Sequence, residues 1–197
     1  RCMSASDRFV RSGDWGSGAS FPLGRRVSGK RLGIVGLGRI GEAVAQRAAG
    51  FAMLVRYHNR RAVEGSPYPH EPDLLALARW ADFLVLTCPG GKATHHLINA
   101  EVLEALGPDG FLINVARGSV VDEAALIKAL QTSVIAGAGL DVYEHEPQVP
   151  AALRELDNVV LLPHVGSGSV ETRQQMADLV LDNLRAFIAT GKLLTPL

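Results

Sequence analysis

The sequence has little of what marks several classes of protein. Only two of its 197 residues are cysteine, Cys2 and Cys88. Two thiols so far apart predict neither a disulfide framework nor a cysteine-rich metal site, which fits a reducing compartment, the cytoplasm. Charge of one sign is also lacking, because 20 Lys and Arg balance 20 Asp and Glu. We therefore expect no broad basic face for nucleic acid or for an anionic membrane.

Long apolar runs are missing as well. None approaches the roughly 18 residues that a membrane span needs, and no charged and then apolar leader opens the chain. Repeats of the solenoid kind are absent. Hydrophobic residues nevertheless make up 47% of the chain and charged residues only 20%, which is typical of a folded globular protein.

Two regions differ in composition. Residues 1–29 contain a short helical pattern and then a Gly/Ser-rich stretch with one proline, which predicts a connector that forms no core of its own. From Lys30 onward, short apolar runs such as "RLGIVG", "MLVRYH", "DFLVLT", "GFLINVA" and "VVLLPHV" alternate with helical segments. Near-continuous apolar strands that alternate with helices predict an α/β fold with a doubly wound parallel sheet, covered on both faces, over residues 30–197.

A glycine-rich turn follows the first strand. In "GLGRIG", Gly36, Gly38 and Gly41 have the G-x-G-x-x-G spacing, with a strand before them and a helix after them. The first glycine permits the tight turn, the second lets the backbone approach a pyrophosphate, and the third lets helix and strand pack closely. The spacing and its context predict a dinucleotide-binding site.

The end of the second strand carries an unusual signal for the choice of coenzyme. An acidic residue is expected there to bind the ribose hydroxyls of NAD, but the sequence reads "YHNRR". Asn59 is neutral, and Arg60 and Arg61 can donate charge-assisted hydrogen bonds to a 2'-phosphate. We therefore expect NADP(H) to be preferred, with NAD as the alternative; two solvated surface arginines remain the structural explanation.

Polar residues follow three later strands, where a doubly wound sheet binds its ligands. Arg117 follows "FLIN", Asp141 follows "AGAGL" with Glu146 in "EHEP" beyond it, and His164 follows "VVLLP". An arginine can hold a carboxylate, and a histidine beside a carboxylate can protonate a carbonyl oxygen as it becomes an alkoxide. Each residue alone has a structural explanation, but together they predict a hydride-transfer site.

Other polar residues favour structural roles. His95 and His96 are adjacent, so on a helix or strand they would point in different directions, and we expect no metal site. Ser167 and Ser169 are expected to cap the last helix, although Ser167 could reach the coenzyme. That helix, from Ser169 to about Ala189, carries an apolar stripe that should pack against the sheet or another domain.

Longer motifs identify a family. "GIVGLGRIG", "NVARGSVVDEAALIKAL", "AGAGLDVYEHEP" and "NVVLLPHVGSGSVETR" resemble the coenzyme domain of the D-isomer-specific 2-hydroxyacid dehydrogenases, most of all the glyoxylate, hydroxypyruvate and hydroxyphenylpyruvate reductases. The resemblance implies a Rossmann-type fold and reduction of a small 2-oxo acid to the D-2-hydroxy acid. It also implies that Arg117 anchors the substrate, that His164 donates the proton and that Glu146 keeps His164 protonated.

The same resemblance implies the contacts to the coenzyme. Besides the three glycines, they fall on the residues that follow the strands. These are Arg39 and Ile40 at the pyrophosphate, Asn59, Arg60 and Arg61 at the adenosine ribose and its phosphate, Cys88 and Pro89 beside the adenosine, Val115, Ala116 and Arg117, Asp141 near the nicotinamide amide, and His164, Gly166 and Ser167.

One departure from the family concerns length. Its members begin with a substrate-binding lobe of roughly a hundred residues, which is absent from this chain, and "SDRFVRSGDW" resembles the end of the linker helix that follows that lobe. We therefore expect a chain that folds and binds coenzyme but turns over substrate poorly. The connector, with Trp15 and Phe21, resembles the arm through which such subunits form homodimers.

Two alternatives stay open. Phosphoglycerate dehydrogenases commonly have an acidic residue near position 59, and formate dehydrogenases have Gln where Glu146 stands, so both are disfavoured within the family. A corepressor that senses dinucleotides and binds partner proteins would retain a similar triad of Arg117, Glu146 and His164. The motifs do not exclude this last class, and they do not identify which 2-oxo acid is used.

Overall fold

The computed structural model describes residues 2–196; Arg1 and Leu197, the outer ends of the two predicted regions, lie outside the described residues. The described chain divides into two compact units, one that ends at Leu162 and one that begins at Pro163. The predicted boundary near residue 30 does not coincide with this division. It lies within the first unit, between the connector and the sheet.

A six-stranded, all-parallel sheet forms the centre of the first unit. Its strands are β1 (Arg31–Val35), β2 (Leu54–His58), β3 (Phe83–Leu86), β4 (Phe111–Asn114), β5 (Gly137–Leu140) and β6 (Val159–Leu161). They lie in the order β2-β1-β3-β4-β5-β6, and every neighbouring pair is parallel. The predicted parallel sheet is confirmed.

Helices connect the strands, as a parallel sheet requires. The helices of the first unit are α1 (Met3–Arg11), α2 (Arg39–Ala48), α3 (Leu74–Trp80), α4 (Ala100–Leu106), α5 (Glu123–Gln131) and α6 (Ala151–Arg154). Asp73, Asn99 and Asp122 precede α3, α4 and α5, and each side chain accepts a hydrogen bond from a backbone N–H of the first turn. These caps satisfy donors that a helix start leaves unpaired.

The core covers both faces of the sheet. On β1, Leu32 and Ile34 pack in one cluster with Ala45 of α2, whereas Val35 belongs to the other cluster with Leu77 of α3. Successive side chains of a strand point to opposite faces, so a strand that is apolar throughout serves both clusters. The doubly wound sheet predicted from the apolar runs and the Rossmann-type fold implied by the family resemblance are therefore confirmed.

The connector before β1 has few buried contacts. Helix α1 has no buried residue, and its Phe9 ring lies 5.3 Å from the Phe21 ring. The connector therefore contains local contacts but no core.

The second unit contains α7 (Val170–Thr190). Ser169 caps its start by accepting from the Thr172 backbone N–H at 3.1 Å, and Gly191 ends it in the left-handed conformation, at φ 71°. The predicted cap at Ser169 is confirmed, and the helix ends one residue beyond the predicted end at about Ala189. No residue of α7 is buried, so what its apolar stripe packs against stays a prediction. No helix of the described residues combines the length and the apolar character that a membrane crossing requires.

Candidate active site

The glycine turn joins β1 to α2 at the carboxyl edge of the sheet. Gly36 has φ 101°, and a Cβ there would lie 2.5 Å from the backbone of Cys88. A Cβ on Gly41 would lie 2.4 Å from the Gly36 carbonyl oxygen. Neither position can hold a side chain: at Gly36 the left-handed backbone and the close packing both exclude one, and at Gly41 the close packing does.

Gly38 differs from its two neighbours. It is the N-cap of α2 and has φ −107°, which any residue can adopt, and a Cβ on it would meet nothing within 4 Å. Neither the backbone conformation nor the packing requires glycine at this position. The open space lies at the start of a helix, where N–H groups and the helix dipole favour an anion. A pyrophosphate therefore fits where the protein leaves Gly38 uncovered.

The turn lies at the point where the strand order reverses, between β1 and β3. Thr87 follows β3, and its hydroxyl donates to the Gly36 carbonyl oxygen at 2.7 Å. Cys88 is buried, and this burial raises the pKa of its thiol. In open α/β sheets, ligands bind outside the carboxyl ends of the strands at this switch point, so Cys88 and Pro89 border the expected ligand crevice.

Asn59 ties the end of β2 to the glycine turn. Its side-chain oxygen accepts from the Leu37 backbone N–H at 2.7 Å, and its amide nitrogen donates to the Leu37 carbonyl at 3.3 Å. Arg60 and Arg61 follow at the surface. Among residues 2–196, neither arginine forms an ion pair or a side-chain hydrogen bond, so both guanidinium groups are available to an anion.

The turn after β4 positions Arg117. Asn114, at the end of β4, is buried; its side-chain oxygen accepts from the Ala116 N–H at 3.0 Å, and its amide donates to the Arg117 carbonyl at 3.0 Å. The exposed Arg117 guanidinium donates to the Ala116 carbonyl at 2.6 Å. A Cβ on Gly90 would lie 2.7 Å from Cγ of Arg117, so this glycine makes room for the arginine stem.

The loop after β5 packs directly against that turn. A Cβ on Gly118 would lie 1.9 Å from the carbonyl carbon and oxygen of Tyr143. The Glu146 carboxylate accepts from the Tyr143 backbone N–H at 3.0 Å, which holds Glu146 over its own loop, and Asp141 is buried beside β5. The peptide bond between Glu146 and Pro147 is cis.

Tyr143 anchors the same loop. Its hydroxyl donates to the Leu162 carbonyl at 2.9 Å, and burial, with smaller contributions from nearby carboxylates that include Asp141 and Glu146, raises the pKa of the phenol. The phenol therefore stays protonated and serves as a hydrogen-bond donor at neutral pH. In this way the loop that carries Glu146 is joined to the end of the first unit.

His164 belongs to the second unit, as do Gly166 and Ser167. His164 has φ 53°, in the left-handed region that a residue with a side chain seldom adopts. Strands β4, β5 and β6 neighbour one another, so the strand ends that precede Arg117, Asp141 and His164 lie side by side as predicted. Because His164 belongs to one unit and Arg117 and Glu146 to the other, the approach of His164 to these two residues stays a prediction.

The structure corrects one expectation about the histidine pair. His95 and His96 lie in a turn, not in a helix or strand, and their rings stack with centroids 3.9 Å apart instead of pointing in different directions. The reason is the left-handed backbone of His96, at φ 50°. Their nitrogens and a Glu144 oxygen lie within 4.8 Å of one another, and His96 Nε2 is 2.8 Å from that carboxylate. A metal ion would have to lie in the planes of both rings, which nearly parallel, stacked rings do not allow.

Several residues that hold the loops at this edge of the sheet are not among the predicted site residues. Asn114 had one signal, a polar side chain at the end of an apolar strand. Thr87, Gly90 and Tyr143 had none, because their partners are distant in sequence or belong to the backbone. These residues hold the predicted site residues in place, and we do not expect them to contact a ligand directly.

The comparisons agree with this geometry. A family model described as "D-isomer specific 2-hydroxyacid dehydrogenase, NAD binding domain" matches residues 1–166. Among curated proteins, the chain is 50% identical over 196 residues to a 2-ketogluconate reductase of Gluconobacter oxydans, covering 100% of the chain and 63% of that protein. It is 51% identical over 196 residues to the hydroxyphenylpyruvate reductase of Plectranthus scutellarioides, covering 100% of the chain and 62% of the relative.

Solved structures give the same result. An NADPH-dependent glyoxylate/hydroxypyruvate reductase of Sinorhizobium meliloti, in complex with NADP and malonate, matches with a TM-score of 0.96 and 49% identity over 100% of this chain and 62% of that one. The chain thus spans about three-fifths of the length of the relatives it matches, at 63%, 61% and 62% for the first three curated proteins.

Proposed function

Because the chain belongs to the D-isomer specific 2-hydroxyacid dehydrogenase family, we propose that it is the coenzyme-binding part of a reductase that converts a small 2-oxo acid to the D-2-hydroxy acid with NADPH. The observation that carries this proposal is the carboxyl edge of the sheet, where an open Gly38 turn follows β1, Arg60 and Arg61 follow β2, and Arg117 follows β4. None of these three arginines has a carboxylate partner within residues 2–196. Such an edge suits an anionic coenzyme and a carboxylate substrate together.

The residues of the chain bind and orient the reactants. When bound, the reduced nicotinamide coenzyme supplies a hydride to the carbonyl carbon of the substrate. Arg117 holds the substrate carboxylate, and its backbone is fixed by the buried Asn114. His164 donates a proton to the carbonyl oxygen as it becomes an alkoxide, and Glu146 is the carboxylate partner of His164. One hydride and one proton thus convert the 2-oxo group into a hydroxyl.

Support for NADPH over NADH comes from the residue types at the end of β2. A carboxylate there would repel a 2'-phosphate, whereas Asn59 is neutral and its side chain hydrogen-bonds the Leu37 backbone. Arg60 and Arg61 are then the residues that can contact the phosphate. Guanidinium groups match phosphate oxygens in geometry and charge. The reductase of Sinorhizobium meliloti that resembles this chain is described as NADPH-dependent.

The substrate class follows from the relatives and from Arg117. Relatives at about half identity are named for the reduction of glyoxylate, hydroxypyruvate, hydroxyphenylpyruvate and 2-ketogluconate, all of which have a 2-oxo group beside a carboxylate. We infer that the whole protein reduces a member of this class. A phosphoglycerate substrate is less well supported, because position 59 is not acidic, and a corepressor would retain the same residues without needing turnover.

Turnover separates these functions. The whole protein should oxidise NADPH in the presence of at least one of glyoxylate, hydroxypyruvate, 4-hydroxyphenylpyruvate and 2-ketogluconate. Replacement of Arg117 by lysine keeps the charge but loses the forked geometry, and it should lower kcat/KM about 100-fold, since a lost charged hydrogen bond costs up to about 3 kcal/mol. Arg154→Lys, on the exposed surface of α6, is the matched control. No turnover with any of the four acids, together with tight NADPH binding, would favour the corepressor instead.

We further propose a homodimer in the cytoplasm. The connector exposes Met3, Val10, Trp15 and Leu23, and apolar residues grouped on one segment are typical of an interface. Cys2 is exposed as a free thiol, which fits a reducing compartment. Replacing Trp15 by glutamate should shift the protein from dimer to monomer in sedimentation equilibrium, whereas Arg154→Glu, on the exposed surface of α6, should not. A wild-type monomer would refute the dimer.

A further inference from the structure

The two arginines of the coenzyme site lie on a loop that the protein holds at both ends. At its start, Asn59 is bonded to the Leu37 backbone through both side-chain atoms, at 2.7 and 3.3 Å. At its end, the Val63 backbone N–H donates to the Tyr57 hydroxyl at 2.8 Å. Arg60 and Arg61 lie between these two points, and among the residues that the structure describes nothing restrains their side chains directly. Their position therefore depends on the backbone of the loop.

A third contact comes from behind the loop. His70 Nε2 lies 2.9 Å from the Asn59 carbonyl oxygen, and because a carbonyl only accepts, the ring nitrogen is the donor. The His70 ring also packs on the Tyr57 ring, with centroids 5.2 Å apart. One half-buried side chain thus contacts both residues that hold the loop, by a hydrogen bond to Asn59 and by ring packing on Tyr57.

The segment that carries His70 is itself fixed to the outer edge of β2. The Tyr57 N–H donates to the Pro69 carbonyl at 3.1 Å, and the Glu71 N–H donates to the Tyr57 carbonyl at 2.7 Å. The His58 ring adds a bond to the Glu71 carbonyl at 3.0 Å. These bonds make a short parallel bridge between Tyr57 and His70, so hydrogen bonds on both sides of His70 hold its backbone against β2.

We propose that His70 is a positioning residue for recognition of the coenzyme's 2'-phosphate, a role that rests on the NADPH preference proposed above. His70 itself need not touch the coenzyme. It fixes the Asn59 peptide and thereby the direction in which Arg60 and Arg61 leave the chain. A loop that is already ordered loses less conformational freedom when its arginines bind a phosphate, and the affinity for the phosphate is correspondingly higher.

Two substitutions separate the hydrogen bond from the ring packing. His70→Phe keeps a ring against Tyr57 and removes the donor, whereas His70→Gln keeps an N–H donor and removes the ring. The same His→Phe change at the exposed His95 is the matched control. Binding of NADPH, of NADH and of 2',5'-ADP, a fragment that carries the 2'-phosphate without the nicotinamide, is measured by calorimetry. Amide hydrogen exchange of peptides that span Asn59 to Val63 is measured alongside.

The expected pattern is specific to the phosphate. His70→Phe should weaken NADPH and 2',5'-ADP about tenfold and NADH less than about twofold, because only the first two carry the phosphate that Arg60 and Arg61 are proposed to bind. Exchange within the loop should become faster, His70→Gln should recover most of the affinity, and His95→Phe should match the wild type.

Two kinds of result would overturn the role of His70 alone, and a third would overturn the proposed NADPH preference together with it. Equal weakening of NADPH and NADH by His70→Phe would indicate a general structural role. Unchanged affinities, or a loop whose exchange does not change, would exclude any role for the bond. If the wild type binds NADH at least as tightly as NADPH, the coenzyme preference itself fails, and the role of His70 fails with it; this outcome is visible before any variant is measured.

Discussion

Arginines at the two edges of the sheet are held in opposite ways. At the amino edge, Arg31 begins β1 and forms a forked pair with Asp82, with bonds of 3.1 and 3.0 Å from its guanidinium and 2.8 Å from its backbone N–H. At the carboxyl edge, Arg60, Arg61 and Arg117 form no ion pair within residues 2–196. There the protein fixes the backbone and leaves the guanidinium groups exposed.

We expect this difference between an arginine that stabilises the fold and one that binds a ligand. The charge of Arg31 is paired within the fold, whereas no carboxylate of residues 2–196 pairs with the three arginines at the carboxyl edge. Instead, buried or half-buried amide side chains, Asn59 and Asn114, bond to the backbone around them. An arginine that must bind an anion is best kept free of internal carboxylates while its backbone is held in place.

The largest effect should come from separating the two loops of the carboxyl edge. Gly118→Ala would place a Cβ 1.9 Å from the Tyr143 backbone, so the Arg117 turn and the Glu146 loop could not stay packed. Overpacking of this kind costs about 3 kcal/mol or more, and urea unfolding should show it. Gly139→Ala, whose Cβ would meet only Ile113 at 4.0 Å, is the control, and equal stability of the two variants would contradict the packing.

The next effect should fall on coenzyme binding and leave the fold intact. Gly38→Ala fills the open space above α2 without touching the protein, so a methyl group would stand where the pyrophosphate is expected. Affinity for NADPH should fall about 100-fold, or about 2.7 kcal/mol, at an unchanged melting temperature. Gly50→Ala, which is equally open, should bind normally. Unimpaired binding by the Gly38 variant would remove the glycine turn from the site.

A smaller effect should follow from loss of the amide that holds Arg117. Asn114→Ala removes two hydrogen bonds and leaves the buried Ala116 N–H without its acceptor, at a cost of about 2 kcal/mol. Urea unfolding measures this cost. Asn114→Asp should recover part of the loss, because it restores the acceptor. If the alanine variant were as stable as the wild type, Asn114 would not hold the turn.

The smallest effect concerns the opposite edge and depends on pH. The hydrogen bond from Arg31, with attraction from Arg31 and Lys30, lowers the pKa of Asp82. A carboxyl with a lowered folded pKa stabilises the fold above its unfolded pKa, about 4, and this contribution is lost as pH falls through the folded value. In Asp82→Asn, the free energy of unfolding should therefore fall less steeply below about pH 4 than in the wild type, and the difference should be less than about 1 kcal/mol. Asp157→Asn, on the exposed surface, should leave the slope as it is, and a wild-type slope in Asp82→Asn would contradict the pairing.

The predictability of this molecule from its sequence depends on how local each signal is. Apolar runs such as "RLGIV", the Asp and Asn caps and the spacing of Gly36, Gly38 and Gly41 are local, and they predict the strands, the helix starts and the turn. The contacts of Gly118 with Tyr143 and of His70 with Asn59 depend on chain segments that only the fold brings together. The predicted divergence of the His95 and His96 side chains is wrong, because the left-handed backbone of His96 breaks the alternation of side-chain directions that a strand would give.

The central claim is that Arg60 and Arg61 select NADPH. The ratio of NADPH to NADH affinity tests it most directly, when it is measured for the wild type, Arg60→Ala and Arg61→Ala. Arg26→Ala, in the connector, serves as the control for loss of one positive charge. We expect the wild type to bind NADPH at least about tenfold more tightly, each of the two substitutions to lower the ratio with NADH affinity unchanged, and the control to keep it. Tighter binding of NADH by the wild type, with a ratio that neither substitution alters, would contradict the account.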